Sequence, residues 1–235
     1  MSGRCRVVLM TSPLLSDDVW SEARDYLALA TGHEVVVPGY PPRPFTAPYT
    51  GRYCEAVAAH VDAAAVNILV CHSGAGRLAG AVVDIWPTGS AVVLVDARFP
   101  APGRSWWDGC PSTLRQRLGP PQPGASAPAW ADWWTAEQKS ELFGAELSEE
   151  RLERMSFPIP WDLLLEQVPA SSGLEGVVGC YVQLSPAYTH EAARAAARGW
   201  TVSRVDSHHL GIVNDLGVVG APLITALDGV RRVLG

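Results

Sequence analysis

Short, continuous apolar runs alternate along this chain with stretches whose apolar residues recur at helical spacing. The runs are Cys5–Met10, Glu34–Val37, Asn67–Cys71, Ala91–Val95, Val177–Leu184 and Thr201–Val205, all rich in Val, Ile or Leu. Strands that read as unbroken apolar runs are buried on both faces, as in a parallel sheet covered by helices. Helical spacing marks Asp17–Ala30, Gly51–Ala64, Gly74–Asp84, Thr189–Arg198 and Gly217–Leu234. Ser16-Asp17-Asp18 gives the first of these a polar start signal. Strand alternating with helix predicts an α/β fold, a doubly wound and mostly parallel sheet of about six strands.

One long stretch breaks the alternation. From Gly103 to Ser172 the pattern is irregular and Pro-rich, with Gly119-Pro-Pro-Gln-Pro-Gly124 as a loop. It holds six of the nine tryptophans, Trp106, Trp107, Trp130, Trp133, Trp134 and Trp161. This is too long for an ordinary connection, so residues 104–172 are expected to form an inserted, mainly helical cap. Residues 1–103 and 173–235 then make up the core. Within the insertion Glu137–Phe143 and Ser148–Met155 are candidate helices, the second opening on an N-capping Ser148.

Composition narrows the function classes. With 235 residues, 48% apolar and only 18% charged, the chain can bury a full core and is neither disordered nor fibrous. The net charge is −6, and of 18 basic residues 17 are arginine, with Lys139 the only lysine. They form no cluster that could track a phosphate backbone, so no nucleic-acid partner is expected. Five cysteines without a CxxC pair argue against a disulfide framework or zinc site, and nothing calls for a metal or a cofactor. The start of the chain, Met1-Ser-Gly-Arg-Cys-Arg, leads into a short strand-like run rather than a signal sequence, and no apolar stretch reaches the roughly 18 residues of a membrane span. The expectation is a cytoplasmic protein, monomer or homodimer, that handles a small molecule. Heavy use of Ala, Gly, Arg and Pro suits a GC-rich genome.

Chemistry concentrates at Asn67-Ile-Leu-Val-Cys-His-Ser-Gly-Ala-Gly76. A strand ends, a sharp turn follows, and a helix begins at Gly74 or Ala75. Ser73 occupies the tip, with small residues two before (Cys71) and two after (Ala75), as a serine held in a strained turn requires. The helix start behind it favours negative charge. This segment resembles the nucleophile elbow of the α/β-hydrolase fold family, in particular small bacterial serine esterases and thioesterase-like members, with Cys71 in place of the usual first glycine. Further stretches carry the resemblance. Val8–Leu14 followed by Trp20 is similar to the early strand with its oxyanion loop, Gly32–Gly39 to the next strand, and Ala91–Pro100 to the strand after the nucleophile. The family's two initial antiparallel strands have no counterpart.

The resemblance implies a set of site residues. Val205-Asp-Ser-His-His-Leu-Gly-Ile-Val-Asn-Asp215 matches the loop that carries the catalytic histidine. Of the pair His208 and His209, the spacing to the terminal helix near Leu216 favours His209 as the base that takes the Ser73 proton. The acid normally follows the penultimate strand, but Leu184-Ser-Pro-Ala-Tyr-Thr-His190 has no carboxylate and Ala187 stands in its place. Asp96, after the strand that follows the nucleophile, is the alternative; the other reading is that no acid is present. Oxyanion donors would be the Gly74 N–H and, because Pro13 has no N–H, either the Leu14 N–H or the Ser12 hydroxyl. His72, Trp106, Trp133, Trp134 and Trp161 are candidate substrate contacts, the tryptophans either lining an apolar pocket or filling the cap's own core.

The expected function is a serine hydrolase acting on an ester, thioester or lactone of a bulky apolar small molecule, in keeping with a tailoring role in secondary metabolism. A missing acid together with Pro13 would instead favour an isomerase, epimerase or cyclase with His209 as proton-transfer base and Ser73 as a hydrogen-bonding group; a ligand-binding pseudo-enzyme is the third reading.

Overall fold

The computed structural model describes residues 4–39, 46–86, 90–144 and 147–234. The first three residues, Met1 to Gly3, therefore lie outside it. The chain order is β1 (Cys5–Met10), α1 (Ser21–Thr31), β2 (Glu34–Val36), α2 (Tyr49–Ala58), β3 (Val66–His72), α3 (Ala79–Ile85) and β4 (Ser90–Val95). The insertion contributes α4 (Ser112–Leu118), β5 (Ser126–Ala129), α5 (Ala136–Phe143), α6 (Glu149–Met155), β6 (Pro158–Pro160) and α7 (Trp161–Leu165). The core resumes with β7 (Val178–Gln183), α8 (Thr189–Ala197), β8 (Thr201–Arg204), α9 (Gly211–Asn214) and α10 (Leu216–Leu234).

Six strands form one sheet in the order β2-β1-β3-β4-β7-β8, and every pairing in it is parallel. The unbroken apolar runs explain the architecture, since Val7, Val8, Leu9, Ile68, Leu69 and Val92 are fully buried between two helical layers. Helices α1 and α10 pack against each other, and α2 packs against α3. The chain steps outward from β1 to β2, then returns across β1 to β3. Strand order reverses there, and open α/β sheets form their ligand crevices at such a switch point.

Two of the expected helices open with 3₁₀ turns, and α2 spans Tyr49–Ala58 where the pattern suggested Gly51–Ala64. Asp17–Trp20 is a single 3₁₀ turn, and Ser16 makes no capping bond with its side chain, so the α-helix begins only at Ser21. The segment after Ser73 is likewise 3₁₀ through Leu78 and becomes α-helical at Ala79. Tighter coiling close behind a sharp turn is a common helix start.

The insertion is not purely helical. β5 and β6 pair antiparallel, a ribbon that Pro128, Pro158 and Pro160 disguise in the sequence because proline is tolerated on such edges. Both expected helices are present as α5 and α6, with Ser148 accepting from the Arg151 N–H; Thr135 and Gln138 also make a capping box that the sequence reading missed. Glu166 ties the insertion to the core, accepting from the N–H groups of Tyr49 (2.8 Å) and Thr50 (2.7 Å) at the start of α2.

Candidate active site

Among the described residues, two stand in the left-handed region without being glycine, and both carry site side chains. Ser73 follows β3 with φ 58° and Asp96 follows β4 with φ 41°. Such a conformation costs about 1–3 kcal/mol and persists only where the surroundings enforce it. Here the adjacent parallel strands hold both turns at the same sheet edge. The Asp96 N–H donates to Val182 O (2.8 Å) and the Arg98 N–H to Ser73 O (3.1 Å). Small neighbours are needed around the elbow: a Cβ on Gly76 would lie 2.4 Å from the Arg98 carbonyl oxygen.

His209 reaches the same edge from the loop after β8. Its Nε2 lies 2.9 Å from Ser73 Oγ, and its Nδ1 lies 3.1 Å from Asp96 Oδ2. The two side chains are essentially closed to solvent, with His209 at 1% and Asp96 at 0% exposure. Burial alone would oppose ionisation of Asp96. Donation from His209, its charge, and hydrogen bonds from Ser185 and Leu184 outweigh burial and hold the carboxyl below its ordinary value. An ionised Asp96 requires the proton on His209 Nδ1, which leaves Nε2 free to accept from the Ser73 hydroxyl. The loop after β7, which lacks a carboxylate of its own, thus contributes donors to Asp96 instead of the acid.

His208 is directed elsewhere. Its Nε2 sits 2.7 Å from Asn214 Oδ1, and its ring packs on Gly144. His72 is also not a substrate contact, contrary to the expectation from sequence. Its side chain is fully buried behind His209, stacks on that imidazole with ring centroids 4.6 Å apart, and donates from Nε2 to His209 O (2.8 Å). Burial, followed by the charge of His209, lowers its pKa to about 3, so the ring is neutral and acts as a fixed spacer. Tyr188 supplies a second ring, lying parallel to the His209 imidazole at 4.9 Å. Its phenol is pushed up to about 12, chiefly by burial, and its hydroxyl interacts with the Ser73 side chain.

On the oxyanion side the two candidates Leu14 and Ser12 are in contact with each other. The Leu14 N–H donates within its own loop to Ser12 Oγ at 3.3 Å. The Ser12 oxygen is close by, and would lie 2.7 Å from a Cβ on Gly74, the residue after the nucleophile. A hydroxyl that accepts from Leu14 still has its proton to donate. Trp106 crosses the same spot, its ring carbon 2.8 Å from that Cβ position.

A cavity of about 280 Å³ opens at Ser73, lined by Leu14, Gly74, Trp106, Trp133, Trp134 and His209 among others. Trp161 is not in its wall; it is buried edge-on against Trp107 at 5.3 Å, as part of the insertion's own packing. Trp130 is in the wall instead, together with Tyr188, Arg77 and Arg98. Sequence reasoning had no signal that separates a lining tryptophan from a packed one, since both sit in the same irregular run. Among the described residues, no group of three or more His, Cys, Asp or Glu side chains could hold a metal ion.

No protein-family model matches the sequence, and no curated protein does. Solved structures do match in shape. An extracellular α/β-hydrolase from a Paenibacillus species, described as sharing structural and functional homology with tobacco salicylic acid binding protein 2, superposes with a TM-score of 0.73. The identity is 15%, over 94% of this chain and 98% of that one. The chain has the α/β-hydrolase fold. Polyneuridine aldehyde esterase shares this fold with a TM-score of 0.69 at 18% identity, over 96% of this chain and 99% of its own. Tomato methylketone synthase I, complexed with 2-tridecanone, gives 0.67 at 14% identity over 99% of both chains. In this α/β-hydrolase fold the elbow, the histidine loop and the Asp96 turn all meet at the carboxyl edge of the sheet.

Proposed function

We propose that this protein is a serine hydrolase that cleaves an ester, thioester or lactone bond in a bulky apolar small molecule. The hydrogen-bonded chain Ser73–His209–Asp96, at 2.9 and 3.1 Å, carries the reading. Ser73 Oγ attacks the carbonyl carbon as its proton passes to His209 Nε2, and Asp96 stabilises the imidazolium that results. The negative charge on the former carbonyl oxygen falls toward the Gly74 N–H and the Ser12 hydroxyl. His209 then gives the proton to the departing alcohol or thiol, and water repeats the sequence to free Ser73. Tryptophan faces over the cavity suit an apolar substrate body.

The names of the fold's relatives support the same chemistry, an esterase and a plant methylesterase among them. An isomerase, epimerase or cyclase reading rests on a missing acid and on Pro13 in the oxyanion loop; Asp96 at 3.1 Å from His209 Nδ1 favours the hydrolase. The test is a fluorophosphonate probe followed by peptide mapping. Stoichiometric labelling at Ser73, abolished in Ser73→Ala and strongly slowed in His209→Ala, is expected. An intact protein that stays unlabelled overturns the proposal.

A further inference from the structure

The cavity wall is one-sided in its hydrogen-bonding chemistry. Besides Ser73 and His209 its polar side chains include Arg77, Arg98 and Tyr188, and among the described residues no Asp, Glu, Asn or Gln side chain lines it. Neither arginine makes an ion pair among the described residues. Arg77 is only 5% exposed. Its Nη2 donates to the carbonyl oxygens of Ser105 (2.9 Å) and Arg104 (3.3 Å), and its guanidinium lies 4.6 Å from the Trp106 ring centre. These contacts fix the group without neutralising it.

Arg98 is exposed, and its guanidinium stands 5.9 Å from the Tyr188 ring centre, on the ring that covers His209. Its backbone bond to Ser73 O pins it beside the nucleophile. Among the described residues its side chain has no hydrogen-bond partner. Two like charges thus share one wall of a largely apolar cavity, in a chain whose net charge is −6. Burial and then the charge of Arg98 bring Arg77 down to about 10, an effect that nearby Asp108 offsets only in part. Guanidinium groups match carboxylates in shape and in donor geometry.

We infer that the substrate carries a carboxylate, which Arg98 binds with Arg77 behind it, while its apolar body lies against the cap tryptophans. The inference rests on the hydrolase reading for the chemistry at Ser73, but the anion site is defined independently of turnover. The bond that breaks then belongs to a half-ester, an acidic lactone or an acid-bearing thioester.

Two measurements separate the inference from the hydrolase reading. In the first, kcat/KM is compared for the 4-nitrophenyl half-ester of a medium-chain dicarboxylic acid and for its methyl-capped, neutral counterpart. The half-ester is expected to be preferred about ten- to hundredfold, the worth of one hydrogen bond to a charged group. The ratio should fall toward one in Arg98→Gln, be partly restored in Arg98→Lys, and shrink with added salt. In the second, Ser73→Ala is titrated by calorimetry with a medium-chain dicarboxylic monobenzyl ester and with its methyl-capped counterpart. Tighter binding of the free acid, lost on adding Arg98→Gln, supports the site even if neither nitrophenyl ester is cleaved. Equal affinities, or a rate ratio unmoved by Arg98→Gln, overturn the inference and leave the hydrolase reading standing.

Discussion

Replacing Asp96 by asparagine changes one atom at a point where four donors converge. Oδ1 accepts from the N–H groups of Leu184 (2.7 Å) and Ser185 (3.1 Å), and Oδ2 from the Ser185 hydroxyl (2.5 Å) and His209 Nδ1 (3.1 Å). The amide oxygen of asparagine will take the Oδ1 place, because the reverse orientation would set its NH₂ against two fixed N–H donors. Each unmet donor there costs about 1–3 kcal/mol. The NH₂ then faces Ser185 Oγ, which can rotate to accept, and His209 Nδ1, which accepts only after moving its proton to Nε2. That proton blocks the atom facing Ser73. The corresponding change in a serine protease costs about 10⁴ in kcat, or roughly 5.5 kcal/mol of transition-state stabilisation. The assay is initial-rate hydrolysis of a 4-nitrophenyl ester at neutral pH, normalised to phosphonate-titrated sites and paired with a melting curve. The native carboxyl is held below its ordinary value. It therefore stabilises the fold above the unfolded carboxyl value of about 3.9, and this contribution is lost as pH falls through the lower native value. Asp96→Asn should lack that acid-side dependence. A folded Asp96→Asn protein with turnover within tenfold of wild type would refute the role given to Asp96.

Other expectations follow from single contacts. His72 is neutral with a pKa of about 3, whereas an unfolded histidine titrates near 6.5, so the unfolded chain binds the extra proton between those values and stability is lost as pH is lowered through that range. His72→Phe, which keeps a ring against His209, should flatten melting temperature against pH between about 4 and 6.5; an unaltered slope contradicts the assignment. Gly74→Ala sets a methyl within 3 Å of Ser12 Oγ and the Trp106 ring, so turnover should drop by about a hundredfold, the worth of one oxyanion donor, with the triad still in place. Undiminished kcat in that variant would remove Ser12 and Gly74 from the oxyanion site. Occupation of the cavity by a phosphonate adduct at Ser73 should shift tryptophan emission, because Trp106, Trp130, Trp133 and Trp134 line it. Emission that stays constant on full labelling would place the adduct elsewhere.

The sheet was legible because burial on both faces demands unbroken apolar runs, and those runs are local: all six strands match the predicted stretches to within one residue at each end. Ser73 was legible for a related reason, since a strained turn between strand and helix needs small neighbours that adjoin it in the chain. The insertion was much less so. Its β5–β6 ribbon pairs segments about thirty residues apart through prolines that read as loop, and Trp161 and Trp130 differ only in which way their rings face.

Sequence by itself determined the parallel α/β sheet, the elbow at Ser73 and a short set of candidates, because each depends on periodicity or on neighbours a few residues away. Tertiary structure decided the rest. It selected His209 over His208, brought Asp96 to 3.1 Å from an imidazole 113 residues away, and moved His72 from the cavity to the back of His209. It also spent the Leu14 N–H on Ser12 and set Arg77 and Arg98 on one wall. These are distances between side chains carried on different strands and loops, and parallel strand order, which no local pattern encodes, is what makes them short.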